Sequence, residues 1–304
     1  MYLNPVIDRW AYRLKAEWER RGVSPATFAL RKYRYISTFD IDHPYLYQNK
    51  TWVKTLGGLA RDILRLRGKV VAQRLSVLAR LSEDPYFQAL QDIEQVHKEQ
   101  GVPYSLFILM GEKTRYDRHT RRTPKDYYAY LKGLQDVTLG LHPSYNTLAD
   151  LGLLRKEKAE LEEVLGRTIT SSRQHFLRMR VPDAYRNLLQ AGIKEDYTLT
   201  FAQAPGFRAG TAIPFRFYDL EKDKATDLVL HPTAYMDSTF VFDKEHSPEA
   251  ILSRMKGLID EVKLSGGDCV ALWHNSNLAG SKTENPWVSV FEESMKYGLL
   301  QENN

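Results

Sequence analysis

The chain has 304 residues, of which 43% are hydrophobic and 27% are charged, a composition typical of a globular domain large enough to bury its own core. A single cysteine, Cys269, excludes an intrachain disulfide framework, and no apolar run reaches the roughly 18 residues of a transmembrane helix. The net charge of +5 is modest, and the charged N-terminus does not resemble a signal peptide, so we expect a cytoplasmic location.

The first predicted element is an amphipathic helix over residues 4–22. Asn4 can cap it, Pro5 suits its first turn, and Gly22 ends the pattern. Its apolar face comprises Ile7, Trp10, Ala11, Leu14 and Trp18. Because this helix precedes the first predicted strand, we expect residues 1–32 to be a helical extension or a remnant of a preceding module. Residues 33–304 are then the main domain.

From residue 33 onward, apolar or β-branched runs alternate with helical patterns, as in a parallel α/β domain. Strands are predicted at residues 34–39, 104–110, 137–141, 167–171, 198–202, 228–230 and 269–273. Helices are predicted at residues 50–81, 85–100, 155–165, 184–191, 248–264 and 287–299, the first of them broken at Gly57-Gly58 and at Gly68. The alternation fits an open doubly wound sheet or a barrel, and periodicity does not separate the two.

Residues 61–80 concentrate basic side chains within a helical apolar repeat. The simplest interpretation is an amphipathic helix with a solvated basic face. The alternative is a binding site for an anionic glycan, a nucleic acid or a membrane surface.

Polar residues cluster where the predicted strands end. The residues that follow strands are Asp40, Asp42, His142, His175, Arg208, Asp237 and His274. The carboxyl ends of parallel strands converge on one face in barrels and in open sheets alike, so we expect these side chains to form one constellation.

Asp40 and Asp42 stand one residue apart at the end of the first strand. Such a pair can divide the work, one carboxylate holding a cation and the other accepting a proton from an attacking water, or either can cap a turn. His142 ends a strand before a proline, which suits a metal ligand or a satisfied, half-buried histidine. His274 ends an apolar strand and can protonate a leaving alkoxide or cap the sheet edge.

These segments resemble the polysaccharide deacetylase family of metal-dependent carbohydrate esterases, and in particular a divergent bacterial branch of it. The family's first motif is Thr-Phe-Asp-Asp, and residues 38–42 read Thr-Phe-Asp-Ile-Asp, with Ile41 inserted. Residues 141–145 (Leu-His-Pro-Ser-Tyr), 173–176 (Arg-Gln-His-Phe), 206–210 (Gly-Phe-Arg-Ala-Gly) and 270–274 (Val-Ala-Leu-Trp-His) complete the pattern. The resemblance covers roughly residues 33–300 and implies a distorted, incomplete (β/α) barrel with about seven parallel strands.

The resemblance also implies roles for the residues that match the motifs. Asp40 is the expected general base and His274 the general acid, with Arg208 bracing the base. Asp42 and His142 are expected metal ligands. The family's second motif, His-Ser/Thr-x-x-His, has Asn146 in place of its second histidine, so either Asn146 is a weak oxygen ligand or His175 replaces it, and His175 is preferred.

The implied activity is hydrolysis of acyl groups, acetyl in particular, from a carbohydrate or polysaccharide, with a divalent cation such as zinc as cofactor. Substrate contacts are expected from Tyr145, Trp52 and Asp237, and nucleic acid is not expected as a partner. The aromatic residues can equally belong to the core or the rim. Two alternatives remain open: an inactive carbohydrate-binding or scaffold protein that keeps the fold, which the Asn146 replacement favours, and a binder of anionic polymers through residues 61–80.

Overall fold

A computed structural model describes residues 3–23, 31–112, 114–117, 125–241 and 246–300. Within them the strands are β1 (Arg34–Ile41), β2 (Tyr104–Leu109), β3 (Val137–His142), β4 (Ser171–Ser172), β5 (Glu195–Asp196), β6 (Phe215–Asp219), β7 (Lys224–Leu230), β8 (Thr233–Met236) and β9 (Asp268–His274). The helices are α1 (Val6–Arg20), α2 (Trp52–Leu64), α3 (Gly68–Leu78), α4 (Pro85–Gln100), α5 (Lys125–Gly133), α6 (Leu151–Leu165), α7 (Asp183–Gln190), α8 (Asp237–Val241), α9 (Pro248–Ser265) and α10 (Pro286–Leu299).

The described strands form one open, curled sheet in the order β6-β7-β5-β4-β3-β2-β1-β9-β8. Neighbouring strands pair in parallel, except that β6 runs antiparallel to β7. A parallel sheet that curls without closing is a half-barrel, so the expectation of a distorted, incomplete (β/α) barrel is confirmed. No helix among the described residues is long and apolar enough to cross a membrane.

The strand predictions differ from the structure at several places. The strand predicted at residues 167–171 is present only as the two-residue β4. The segment predicted at residues 198–202 is not a strand; β5 lies just before it, because the Asp196 carboxylate accepts hydrogen bonds from the backbone and hydroxyl of Thr198 and turns the chain. The sequence prediction missed β6 and β8. In β6 exposed and buried side chains alternate from Arg216 onward, a strand signal that the prediction overlooked. Strand β8 has only four residues, too few for a periodic signal.

The helical region predicted over residues 50–81 breaks next to Gly68, as expected, but not at Gly57-Gly58. Gly57 and Gly58 lie inside α2, and the chain turns between Leu64 and Gly68, where Leu66 has a positive φ of 52°. A Cβ on Gly58 would lie 2.9 Å from Nη1 of Arg74, so this glycine allows the close approach of α2 and α3 rather than ending a helix.

Helix α1 contacts the main domain through its polar side. The Ile7 amide donates to the Gly210 carbonyl at 2.9 Å, the Asp8 carboxylate accepts from the Ala212 amide at 2.8 Å, and the Tyr12 hydroxyl donates to the Ser265 carbonyl at 2.8 Å. Its apolar stripe, including Trp10, faces solvent. Part of the segment joining α1 to β1, residues 24–30, lies outside the described residues, and the division at residue 32 stays a prediction.

Candidate functional site

Strand β1 presents its two carboxylates on the same face. Side chains alternate along a strand, so Phe39 and Ile41 enter the hydrophobic core while Asp40 points to the opposite side. Asp42 follows the last residue of β1 and continues on the side of Asp40. The residue inserted into the Thr-Phe-Asp-Asp pattern therefore keeps both carboxylates on one face.

Asp42, His142 and His175 come together at the carboxyl ends of β1, β3 and β4. One ligand atom of each lies within 4.8 Å of the others, the only cluster of this kind among the residues that the structure describes. Nε2 of His142 is 3.3 Å from Oδ1 of Asp42, and Nε2 of His175 is 3.7 Å from Oδ2 of the same carboxylate. Two ligands of a tetrahedral zinc ion, each about 2.0–2.1 Å from the metal, lie about 3.4 Å apart. The spacing thus suits a small divalent cation.

Both histidines are oriented by hydrogen bonds on their far side. Nδ1 of His142 donates to the Arg173 carbonyl at 2.6 Å, and Nδ1 of His175 donates to Oδ1 of the fully buried Asp117 at 2.7 Å. Because Nδ1 carries the proton in each case, Nε2 is left to face the cluster, as in metal sites where an outer partner fixes the ligand tautomer. Sequence reasoning missed Asp117, which lies in a loop and ends no strand.

The cluster has the electrostatics of a cation site. Oδ1 of Asp42 is buried and accepts no hydrogen bond. Burial raises the pKa of Asp42, but the histidines outweigh it and hold that pKa well below its usual range. Burial lowers the pKa of His175, but Asp117 and Asp42 raise it to about 9. A carboxylate oxygen without a donor beside two Nε2 atoms fits a divalent cation, which those residues can hold and which would displace the second proton from His175.

Asp40 pairs with Arg173 rather than with the predicted Arg208. Nη1 of Arg173 donates to Oδ1 of Asp40 at 2.9 Å, and both side chains are buried. Arg208 is exposed and donates to the Thr200 carbonyl at 3.2 Å, so the prediction that it braces Asp40 is wrong. Arg208 was chosen because it follows residues 198–202, and that segment is not a strand.

His274 lies beside Asp40, since the two residues are register partners on the adjacent parallel strands β9 and β1. Nδ1 of His274 donates to Oδ1 of Asp237 at 2.7 Å, and its backbone amide donates to Oδ2 at 2.7 Å. Burial lowers the pKa of His274, but Asp237, with smaller contributions from Asp42 and Asp40, raises it to about 10. The imidazolium form therefore dominates at neutral pH, with a proton available at Nε2.

Comparisons with known proteins match this architecture. No protein-family model and no curated protein matches the chain. A solved structure assigned as a polysaccharide deacetylase from Mycobacterium smegmatis superposes with a TM-score of 0.55 at 15% identity, covering 91% of this chain and 87% of that one. A second, from Pseudomonas aeruginosa PAO1, gives 0.51 at 10% identity over 87% and 84% of the two chains.

The chain has the polysaccharide deacetylase fold. At sequence identities this low, the similarity establishes the fold alone. It confirms the fold that the sequence motifs implied. A 4-alpha-glucanotransferase from Thermococcus litoralis also superposes, with a TM-score of 0.50 at 10% identity over 88% of this chain and 37% of that one.

The three expected substrate contacts differ in the surface that this deacetylase-like fold leaves them. Asp237 is 0% exposed and holds His274, which leaves it no surface for a substrate. Tyr145 is covered on its ring faces: Tyr116 stacks on it with centroids 3.8 Å apart, and the guanidinium of Arg178 lies 3.6 Å from its centroid. Trp52 is exposed in the first turn of α2.

An aromatic residue that sequence reasoning missed lies next to the cluster. Phe176 directly follows His175, and the centroids of the two rings are 4.2 Å apart. The residue is 54% exposed although its ring packs edge-on against Tyr145. Phe176 and Leu177 have positive φ angles of 58° and 52°, a conformation that costs bulky side chains free energy and that concentrates at functional sites.

Proposed function

We propose that the protein is a metal-dependent hydrolase that removes acyl groups, acetyl in particular, from a carbohydrate. The observation that carries the proposal is the convergence of three groups on one edge of the sheet. These are the Asp42–His142–His175 cluster, the Asp40–Arg173 pair and the His274–Asp237 pair. Each group supplies a part that hydrolysis of an ester or amide requires.

The donor set of one carboxylate and two imidazoles favours zinc among the divalent cations. A cation held there would polarise the acyl oxygen and make a nearby water a better nucleophile at neutral pH. Asp117 and the Arg173 carbonyl keep the two imidazoles turned toward that position.

Asp40 is the proposed general base, acting through Oδ2. Its other oxygen, Oδ1, is held by Arg173, whereas Oδ2 is 3.8 Å from Nε2 of His142 and so faces the cluster. The buried guanidinium offsets the carboxylate charge and keeps the side chain in one orientation. The proton of the attacking water passes to Oδ2 as the oxygen bonds to the acyl carbon.

His274 is the proposed general acid, acting through Nε2. Asp237 occupies Nδ1 and favours the imidazolium, so the free nitrogen carries the proton that the departing amine or alkoxide needs. A base and an acid on neighbouring strands can serve opposite sides of the same acyl carbon.

Phe176 is the proposed sugar contact. Apolar faces of a pyranose ring stack on exposed aromatic rings, and this ring lies beside the ligand His175 with more than half of its surface free. Phe176 thus has the substrate-stacking role that the sequence analysis expected for Tyr145.

The experiment that tests the proposal compares Asp40→Asn with Asp42→Asn. We expect Asp40→Asn to bind zinc nearly as tightly as the wild type and to lose turnover of an aryl acetate by about 10²–10⁴-fold, because the base alone is removed. Asp42→Asn should lose zinc and turnover together. Calorimetric zinc titration and initial rates on the same preparations give both quantities, and Asp227→Asn, at an exposed carboxylate on β7, is the matched control.

Equal loss of zinc in the two variants would show that the assigned roles are mistaken. A wild-type protein that binds zinc and an acetylated oligosaccharide, yet hydrolyses neither that sugar nor the aryl acetate, would favour the non-catalytic carbohydrate-binding alternative.

A further inference from the structure

Helices α2 and α3 form a hairpin, and most apolar residues of α2 face away from the protein. Along α2 the side chains of Trp52, Val53, Leu56, Ile63 and Leu64 are exposed, and helical periodicity places them on one stripe. A helix that packs on a core turns such a stripe inward. The stripe of α2 is turned outward, and Leu64 is 83% exposed.

The inward side of the hairpin combines the buried Val77 with a cluster of polar contacts. Nη2 of Arg74 donates to Oδ2 of Asp62 at 2.6 Å, with both side chains buried, and the Arg74 guanidinium lies 4.5 Å from the centroid of the Tyr47 ring. The Tyr47 hydroxyl donates to Oε1 of Gln73 at 3.1 Å. These contacts fix the orientation of the hairpin, so the outward stripe belongs to a defined packing arrangement.

The tip of the hairpin presents a leucine between two arginines. Leu66 is 92% exposed and has a φ of 52°, a left-handed conformation usually occupied by glycine or asparagine at the end of a helix. Among the described residues, no apolar packing that would stabilise the protein compensates for a leucine in this conformation. Arg65 and Arg67 on either side of it are exposed as well.

The exposed charged side chains of the hairpin are all basic. Asp62 is the only acidic residue between positions 50 and 81, and it is buried against Arg74. The exposed basic residues include Arg61, Arg65, Arg67, Lys69 and Arg80. An apolar stripe flanked by cations and free of exposed carboxylates is the pattern of helices that lie in the interface of an anionic bilayer.

We propose that the α2–α3 hairpin docks this protein on a membrane surface that contains anionic lipid, with Leu66 and the α2 stripe entering the headgroup region. A nucleic acid would use the arginines and leave the stripe in water, and a second copy of the chain would use the stripe and bring the like charges together. A bilayer with anionic headgroups satisfies both features. The hairpin is the first helical segment after β1 in the chain, with α2 beginning at Trp52.

The test is co-sedimentation of the full chain with vesicles of phosphatidylcholine alone and with vesicles of phosphatidylcholine and phosphatidylserine in equal parts. We expect binding to the mixed vesicles that weakens as salt is added, and little binding to phosphatidylcholine alone. The assay uses neither metal nor substrate, so its failure would leave the proposed hydrolysis untouched.

Leu66→Gly is the most informative variant, because glycine relieves the positive φ and should leave folding intact. We expect it to weaken vesicle binding by about tenfold, since one apolar side chain no longer enters the interface. Leu56→Glu and the double variant Arg65→Glu/Arg67→Glu should weaken binding further. The control is Leu220→Glu, which alters a leucine that is 85% exposed beyond the end of β6 and should bind as the wild type does.

Three outcomes would overturn the proposal. One is unchanged vesicle binding in Leu66→Gly and Leu56→Glu, which would place any lipid contact elsewhere. Another is equal binding to the two kinds of vesicle. The third is the absence of binding to the mixed vesicles; RNA binding, or a concentration-dependent dimer that Leu56→Glu abolishes, would then identify the occupant of the surface instead.

Discussion

Arg173 and Asp40 form a buried ion pair, with Nη1 donating to Oδ1 at 2.9 Å. The same guanidinium donates to Oγ1 of Thr38 at 2.7 Å and to the Tyr197 carbonyl at 3.1 Å. It also lies 4.6 Å from the centroid of the Phe107 ring. Arg173, which follows β4, therefore links two residues of β1, Thr38 and the proposed base Asp40, to the backbone just after β5.

We expect Arg173→Ala to destabilise the protein and to abolish most turnover. Removing the arginine leaves a buried, unpaired carboxylate, which costs about 3–5 kcal/mol in comparable sites. Thermal unfolding and aryl acetate turnover measure the two effects. Arg208→Ala should leave both close to wild type, because that exposed arginine has no contact with Asp40 in the described structure; a large loss of turnover in Arg208→Ala would restore it as the brace.

The error over the arginine shows what strand-end reasoning can and cannot supply. Asp40, Asp42, His142 and His274 end strands with clear apolar patterns, so the convergence of their side chains follows from parallel pairing. Arg173 lies in the segment that supplied His175, and it was overlooked because the brace was sought after residues 198–202, which form no strand. Asp117 belongs to a loop, and its approach to His175 depends on tertiary packing that no local pattern encodes.

The general acid should reveal itself in the pH dependence of turnover. His274 must be protonated to donate, and its pKa is raised to about 10, so activity should persist through neutral pH and fall as the pH rises toward 10. A cation bound at Asp42 would offset part of the negative charge that favours the imidazolium. The pKa of His274, and with it the alkaline limb of the pH profile, would then lie at a lower pH. Asp237→Asn removes the main partner that raises the pKa, so it should shift the alkaline limb of kcat/KM to lower pH.

His274→Ala separates proton donation from a structural role. On a substrate with a poor leaving group, such as an N-acetyl sugar, we expect a loss of about 10²–10⁴-fold. An aryl acetate, whose leaving group needs little protonation, should be affected much less. Equal losses on the two substrates, with zinc retained, would assign His274 a structural role.

Phe176→Ala should act on substrate binding. Loss of a stacking ring should raise KM for an acetylated oligosaccharide by about tenfold while kcat on a small aryl acetate changes little. Zinc affinity should stay near wild type, because the His175 ring is oriented by Asp117 rather than by its neighbour. Parallel losses of kcat on both substrates would indicate that Phe176 shapes the metal cluster and does not contact the sugar.

Glu157 should make stability depend on pH. It is buried on α6, where its carboxylate accepts hydrogen bonds from the Ser144 backbone amide at 2.9 Å and from the Ser144 hydroxyl. Burial raises its pKa from 4.5 to about 7, so the folded state favours the protonated form. The contribution of Glu157 is therefore greatest below pH 4.5 and is lost as the pH rises through about 7.

Glu157→Gln removes this titration. The difference in unfolding free energy between the wild type and this variant, measured by urea denaturation, should change by on the order of 3 kcal/mol across that interval. A constant difference would mean that Glu157 titrates at its ordinary value in the folded protein.

The central claim is that Asp42, His142 and His175 bind the cation that the hydrolysis requires, and a zinc-soaked crystal structure with anomalous diffraction at the zinc edge tests it most directly. We predict one strong peak about 2.0–2.1 Å from Nε2 of His142 and from Nε2 of His175, with an oxygen of Asp42 at about 2.0–2.2 Å. A peak held by Asn146 in place of His175, or no peak within reach of these three side chains, would contradict the account.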